Sequence, residues 1–529
     1  MRITATSYTY GGITVAGNLT RRAVLSLTAA STAGAVTGLL GPTGSAAGST
    51  TRRRGTAGWN ALSRHLDGDL ILPSDARYEQ AREQSLRQFD TTHPMAIAYC
   101  QNTQDVQTVL AFAQDKGIHT VPRSGGHSFG GYSTTTGIIL DVSRLNRVTT
   151  DQTLVTIGAG TQQVDALAAL TPHGLALASG LCPTVGAGGF IQGGGIGHQT
   201  RKYGMACDRL VSAEVVLADR RAVRASAQDN PDLYWALRGN GGGNYGVVTS
   251  YTLQPIRRTT LTGYRLVWSA GDTATTIENW QQWVTRAPND LSSLLIAGSA
   301  SPPSPDTMVS IAGTWYGTVE DLDRHIDELV AAVGTNPLNR TVAERSLQQG
   351  MMQIYGCATL TTAQCHRAGT TPESMVPRWN YYRTRSRMFD STVPPADIED
   401  LLTVLTDPTH MRTGQTRKLY FEALGGAANE PARTDTAYVH RTTQILAGLT
   451  AELPDPAYTS EDTAACENWL ADGFAVLDRH SLPESYQNYM DPALEDWRTA
   501  YYAENYPRLA RIKHAYDPHG FFRFPRSIS

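Results

Sequence analysis

The stretch "PRSGGHSFGGYS", residues 122–133, surrounds one imidazole, His127, with glycines, and "GLCPTVGAGG", residues 180–189, does the same for one sulfur, Cys182. Glycine is used where the backbone must turn sharply or lie directly against a ligand. Both stretches therefore imply a large flat or phosphorylated guest rather than simple turns. A neutral imidazole and a thiolate are nucleophiles able to form covalent bonds to such a guest. Further along, "SYQNYMD" sets Tyr486 and Tyr489 three residues apart, so in helical or turn geometry both face one pocket. A phenol there can serve as a general base. In "KLYFEALGGA" Tyr420 and Glu422 alternate to one face of a strand.

A third cluster, "LRGNGGGNYGVVTS", contains G-x-G-x-x-G at Gly241, Gly243 and Gly246. A dinucleotide fingerprint should follow a strand and open a helix. Here the glycines run into the β-branched "VVTSYT", so a Rossmann site is rejected, and no G-x-x-x-x-G-K-[ST] supports a phosphate loop. Three glycine loops that do not open helices still suit a long cofactor whose pyrophosphate rests on backbone N–H groups. No C-x-x-C, H-E-x-x-H or zinc-type cluster is present. Six cysteines occur without the spacing of a disulfide framework, and pairing of Cys357 with Cys365 is left open.

The elements that position these groups fall into two textures. "TQDVQTVLAFAQDKG" predicts a helix with Val106, Val109, Leu110 and Ala113 on one face, closed by Gly117. The His127 stretch then follows a short strand. "GIILDVSRL", "LVTIGAG", "SAEVVLADRRAV" and "NYGVVTSYTLQ" read as further strands and "TQQVDALAAL" as a helix, giving an α+β unit over 93–258 after a linker, 48–92. Over 259–475, strand-like "LTGYRLVWSA", "LSSLLIAGSA", "TMVSIAGTWYG" and "RKLYFEALGG" enclose helical "TATTIENWQQWV" and "EDLDRHIDELVAAVG". That pattern predicts an antiparallel sheet with helices on one face. The tail, 476–529, reads as a helix and an extended segment that return to the first unit.

The net charge of −3 offers no general attraction to nucleic acid or an anionic membrane. Near the start, Arg21-Arg22 precedes a moderately apolar run to Leu40 and a small-residue stretch, Ser45-Ala46-Ala47. This order is that of a twin-arginine signal over 1–47, which predicts export of a folded, cofactor-loaded, secreted protein. The run is too short and too rich in Gly, Thr and Ser for a membrane span.

The order RSGGHS, SGLCPTVGAGG, GGGIGHQTRKYG, ALRGNGGGNYGVVTS, YQNYMD and YDPHGFFRFPRSI resembles the berberine bridge enzyme-like branch of the vanillyl-alcohol oxidase (PCMH-type) flavoproteins. The resemblance runs from about Asp75 to Ile528 and is weakest in the middle unit. It implies a two-domain FAD-binding fold with an antiparallel-sheet substrate domain. It also implies FAD bonded twice, its 8α-methyl to His127 and its C6 position to Cys182. Arg123, Ser124, Gly125, Gly126, Ser128, Gly131, Val185, Gly186, Gly189, Gly193, Gly194, Gly197, Gly246 and Val247 would line the cofactor, with Tyr486 and Asn488 beside it. The family role of catalytic base falls on Tyr489, and Glu422 would assist it or bind a substrate hydroxyl. Val185, third after Cys182, matches an oxygen gate whose valine goes with oxidases. Phe190 departs from a histidine often found near the ribityl chain, and the separation of His127 from Cys182 is shorter than is usual in the family. His198 is read as a loop histidine.

The function implied is a secreted oxidase that takes a hydride from a CH–OH group of a sugar or of a glycosylated or polyketide natural product and reduces O₂ to H₂O₂. Its partners would be that small alcohol or carbohydrate and oxygen, with no nucleic acid and no membrane. The alternatives are an FAD-linked dehydrogenase with another acceptor, a tailoring oxidase forming C–C or C–O bonds, and a flavin carrier without catalysis. The last is disfavoured because His127, Cys182 and Tyr489 are all retained.

Overall fold

The computed structural model describes residues 58–300 and 308–529; the signal segment expected over 1–47 lies outside them. The first unit holds two larger sheets and a two-stranded one that pairs Leu175–Ala176 with Ile256–Arg257. One larger sheet contains β1 (Asp69–Ile71), β2 (Ala96–Tyr99), β3 (Thr120–Arg123) and β4 (Ile138–Asp141) in the order β1-β2-β4-β3. Strands β2, β4 and β3 are parallel, and β1 joins antiparallel. Parallel strands of one sheet need a crossover connection, which helix α1 (Thr103–Lys116) supplies between β2 and β3, with β4 lying between them in the sheet. Asn102 caps its first turn by accepting from the Asp105 N–H, and Gly117 ends it in the left-handed region at φ 63°. Val106, Val109, Leu110 and Ala113 form its buried face, as the periodicity predicts.

The second sheet is antiparallel: β5 (Val148–Thr150), β6 (Val155–Gly158), β7 (Leu210–Leu217), β8 (Ala222–Ser226) and β9 (Gly246–Leu253), ordered β5-β6-β9-β7-β8. Short helix α2 (Ala187–Gln192) follows the Cys182 stretch. Gly246 opens strand β9 and no helix, so the third glycine cluster is a strand entry.

The second unit is one seven-stranded antiparallel sheet. Its strands are β10 (Thr260–Trp268), β11 (Leu294–Ala300), β12 (Met308–Trp315), β13 (Asn339–Ser346), β14 (Tyr381–Phe389), β15 (Thr416–Ala423) and β16 (Ile445–Leu453), ordered β13-β10-β12-β11-β15-β16-β14. Helices α3 (Thr273–Arg286), α4 (Val319–Val333), α5 (Pro395–Thr406) and α6 (Ser460–Leu477) cover one face, where Trp280, Ile326, Leu401 and Leu470 pack with Leu419 and Phe421 of β15. Burying one such side chain contributes roughly 1.5–3 kcal/mol. Strand alternation sends the neighbours of Phe421 the other way. Leu294, Ile296, Met388, Tyr420 and Leu446 join the core of the first unit. The sheet thus lies between its own helices and the first unit, in an α+β two-domain fold.

Strands β13, β14 and β16 were not expected. "YYRTRSRMF" of β14 carries arginines, and "ILAGLTAEL" of β16 has the Ala, Leu and Glu content of a helix. Pairing with β15 on one side and β14 on the other makes β16 a strand.

The tail forms α7 (Tyr506–Tyr516) followed by an extended end. Buried Lys513 donates through Nζ to the carbonyls of Asn244 and Phe522 and to Asp517, and the Ile528 N–H donates to Asn244 Oδ1. The C-terminus therefore clamps the third glycine loop. Cys357 and Cys365 are disulfide-bonded, with Cα atoms 5.8 Å apart. Closing so short a loop is worth on the order of 2 kcal/mol. Cys357→Ser is expected to lower the midpoint of thermal unfolding, and an unchanged midpoint in differential scanning calorimetry would count against a structural role for this bond.

Candidate functional site

The His127 loop leaves the end of β3 and meets the Cys182 loop backbone against backbone. A Cβ added at Gly125 would lie 2.5 Å from the Gly186 N, and one at Gly186 would lie 2.1 Å from Ser124 Oγ. No larger residue permits that approach. Ser124 Oγ donates to the Ala159 carbonyl at 2.7 Å and anchors the junction to the end of β6. Arg123, whose guanidinium bonds Asp141 and the Ala81 carbonyl, locks β3 to β4 just before the loop begins.

His127 and Cys182 line one cavity of about 240 Å³. His127 Nε2 lies 2.8 Å from Thr184 Oγ1, and the edge of the ring meets Trp379 with centroids 5.9 Å apart. Burial, followed by the Arg367 guanidinium, pushes the imidazole down to about 3, so it is neutral at physiological pH. Burial pushes the Cys182 thiol up to about 12. The sulfur is thus a protonated thiol in this structure, where the sequence reading needed a thiolate. Both side chains keep a partly accessible surface that faces the cavity.

Tyr486 and Tyr489 stand at opposite ends of a turn closed by the Tyr489 N–H and the Tyr486 carbonyl at 2.9 Å. Their rings meet edge to face with centroids 4.9 Å apart, and both line the cavity. The Tyr486 hydroxyl accepts from the amides of Gly195 (2.9 Å) and Ile196 (3.1 Å) and from Asn488 Nδ2 (3.0 Å). Burial raises its pKa, which fixes it as a wall. Tyr489 is half-buried and stacks on Phe129, which also packs against Tyr382. Tyr420 meets Tyr489 edge to face from the sheet. Glu422, on the same strand face, does not line the cavity. It is buried, its Oε2 accepts no hydrogen bond, and burial pushes the carboxyl up to about 7.

Of the residues expected on the cofactor, Arg123, Ser124, Gly125, Gly126, His127, Ser128, Cys182, Val185, Gly186, Gly189, Gly246, Val247, Tyr486 and Asn488 line this cavity. Gly131, Gly193, Gly194 and Gly197 do not. A Cβ on them would meet Phe89, Asn488, Tyr438 and the Ser179 carbonyl, so they serve close packing inside the protein. His198, read as a loop histidine, is buried with Nδ1 2.9 Å from Ser292 Oγ. Lining residues that sequence reasoning missed include Trp379, Gln192 and Gln487, and it also missed Thr184, which bonds His127. Gln487 donates to the Gly239 carbonyl and faces His440, which pairs with Glu484. No local pattern signals such long-range partners. Gly241, Gly242 and Gly243, all with positive φ, also line the cavity.

These residues fit FAD. Nothing lies within 4 Å of a Cβ built on Gly189, so bare backbone faces the slot, and the His127 and Cys182 loops share the same space. Among the described residues no cluster suits a metal ion, and no helix is long and apolar enough to cross a membrane.

A glycine-walled slot beneath an antiparallel sheet, with two nucleophiles and a tyrosine pair, defines an FAD-linked oxidoreductase. An FAD-binding domain model matches residues 94–226, and a "berberine and berberine like" model matches 485–529. An uncharacterised FAD-linked oxidoreductase of Bacillus subtilis is 27% identical over 88% of this chain and 97% of its own length. Glucooligosaccharide oxidase of Sarocladium strictum is 27% identical over 81% of this chain and 86% of its own. In fold, the chain is similar to the solved glucooligosaccharide oxidase of Acremonium strictum, with TM-score 0.79 and 24% identity over 89% of this chain and 98% of that one. It is equally similar to a Physcomitrella patens berberine bridge enzyme-like protein, with TM-score 0.79 and 22% identity over the same shares. Over most of its length the chain is thus similar to berberine bridge enzyme-like FAD-linked oxidoreductases.

Gly125→Ala is expected to separate the two loops and lower the flavin content of the purified protein severalfold, read from its visible absorbance. A full flavin content would contradict the role of this contact.

Proposed function

We propose that this protein is a secreted oxidase that holds FAD through His127 and Cys182, oxidises a CH–OH group and reduces O₂ to H₂O₂. The observation that carries the reading is that both nucleophiles, Tyr486 and Tyr489 line a single cavity. FAD, when bound, would supply the acceptor for the substrate hydride and pass the electrons on to oxygen. Two bonds would fix the ring and favour oxidation of poor hydride donors such as alcohols.

In this reading Tyr489 takes the substrate hydroxyl proton. Its partial exposure to the cavity and its stacking on Phe129 support that role. Tyr486, anchored on two backbone amides, and Asn488 hold the cavity wall. Glu422 acts as a positioning residue, and its charge reaches Tyr420 and Tyr486. Val185 lines the cavity with a small side chain, which suits entry of oxygen. The substrate proposed is a sugar or a glycosylated or polyketide alcohol; relatives whose names describe oligosaccharide oxidases support the first. The Cys357–Cys365 disulfide fits an oxidising compartment, in keeping with export through the Arg21-Arg22 segment.

A panel of mono- and oligosaccharides with a peroxide readout tests the proposal. Substrate-dependent H₂O₂ release is expected, and its absence alongside reduction of an artificial acceptor would favour a dehydrogenase. Tyr489→Phe is expected to cut kcat by about 10²–10⁴ with the yellow colour retained; full turnover would remove Tyr489 as base. Glu422, protonated below about pH 7 and charged above it, should give a pH–rate limb near neutrality. Glu422→Gln should abolish that limb, and an unchanged profile would separate the carboxyl from catalysis. Because the folded carboxyl binds its proton more tightly than an unfolded glutamate, its burial should also cost stability as pH rises from about 4.5 to 7.

A further inference from the structure

We propose that Thr184 is the positioning residue for covalent attachment at His127: its hydroxyl engages Nε2 and leaves Nδ1 as the nitrogen that bonds the 8α carbon of FAD. The inference rests on the attachment proposed above and adds the residue that directs it. Thr184 is the residue that hydrogen-bonds the imidazole: its Oγ1 lies 2.8 Å from Nε2, and its backbone also engages the ring. A neutral imidazole carries one N–H and one lone pair, and the partner of one nitrogen decides which end is which. When Nε2–H donates to Thr184 Oγ1, the lone pair lies on Nδ1. Neutrality is secured separately by burial and by Arg367, itself held 3.3 Å from Glu83. The edge contact with Trp379 limits rotation of the ring about this hydrogen bond.

The placement of Thr184 is what lets one loop serve both attachments. It is two residues after Cys182 and two before Gly186, the point where the two glycine loops touch. The same backbone therefore sets the sulfur and the orientation of the imidazole. In the attachment, one C8α–H bond and the imidazole N–H bond break and one N–C bond forms. The two protons and two electrons released reduce the isoalloxazine, and dioxygen reoxidises it with formation of H₂O₂. Thr184, buried at 5% exposure, accepts the N–H that is given up.

The test uses a Cys182→Ala background, in which only the histidyl bond can retain the cofactor, and reads the intact mass of the denatured protein together with FAD released by acid. Cys182→Ala should carry one FAD adduct. Adding Thr184→Val should lower the adduct fraction at least tenfold while FAD is still bound and freed by acid, and Thr184→Ser should restore the adduct. An equal adduct in the Val variant, a Ser variant as deficient as Val, or loss of all bound FAD in the Val variant would overturn the positioning role. No adduct in Cys182→Ala itself would instead overturn attachment at His127.

Discussion

The loops that carry His127 and Thr184, residues 57 apart in sequence, touch backbone to backbone at Gly125 and Gly186, and the site is assembled around that contact. With any side chain at either position the strand-end carrying His127 and the turn carrying Cys182 would be pushed apart. The glycines therefore do two jobs. Some, such as Gly189, leave open space beside bare backbone in the slot, and others close the protein on itself so that imidazole and sulfur face one volume. A hydroxyl from the second loop then orients the ring carried by the first.

The second unit contributes through the arithmetic of strand alternation. Leu419 and Phe421 secure β15 to the helix layer, and this obliges Tyr420 and Glu422 to face the first unit. Tyr489 and Phe129 meet Tyr420 and Tyr382 across that boundary, so the cavity has a glycine floor from one unit and an aromatic roof from both. Glu422, on the same strand as Tyr420, is buried at the cost of a raised pKa, a cost typical of functional positions. The C-terminal segment closes the arrangement by fastening Asn244 through Lys513 and Ile528.

Much of this was legible in the sequence where the signal is local. The periodicity of Val106, Val109, Leu110 and Ala113 gives α1, and the alternation of Tyr420 with Glu422 places both on one strand face. The run of glycines into "VVTSYT" separates a strand entry from a helix entry. What was not legible depends on partners distant in the chain. Strand β16 is decided by its neighbours rather than by its alanines, leucines and glutamate. Gly131, Gly193, Gly194 and Gly197 look like cofactor glycines because a glycine spared for packing and one spared for a ligand read alike. Trp379 reaches His127 from a segment with no motif, and Thr184 does so from within the Cys182 stretch, where no local signal says which residue meets the imidazole.

The account depends on FAD being bonded to this chain at two points. The decisive measurement is the intact mass of the acid-denatured wild-type protein beside His127→Ala and Cys182→Ala single variants and the double variant. The account predicts one FAD on the wild type and on each single variant, and none on the double variant. A wild-type chain with the mass of the polypeptide alone, or a double variant that still carries the adduct, would contradict it.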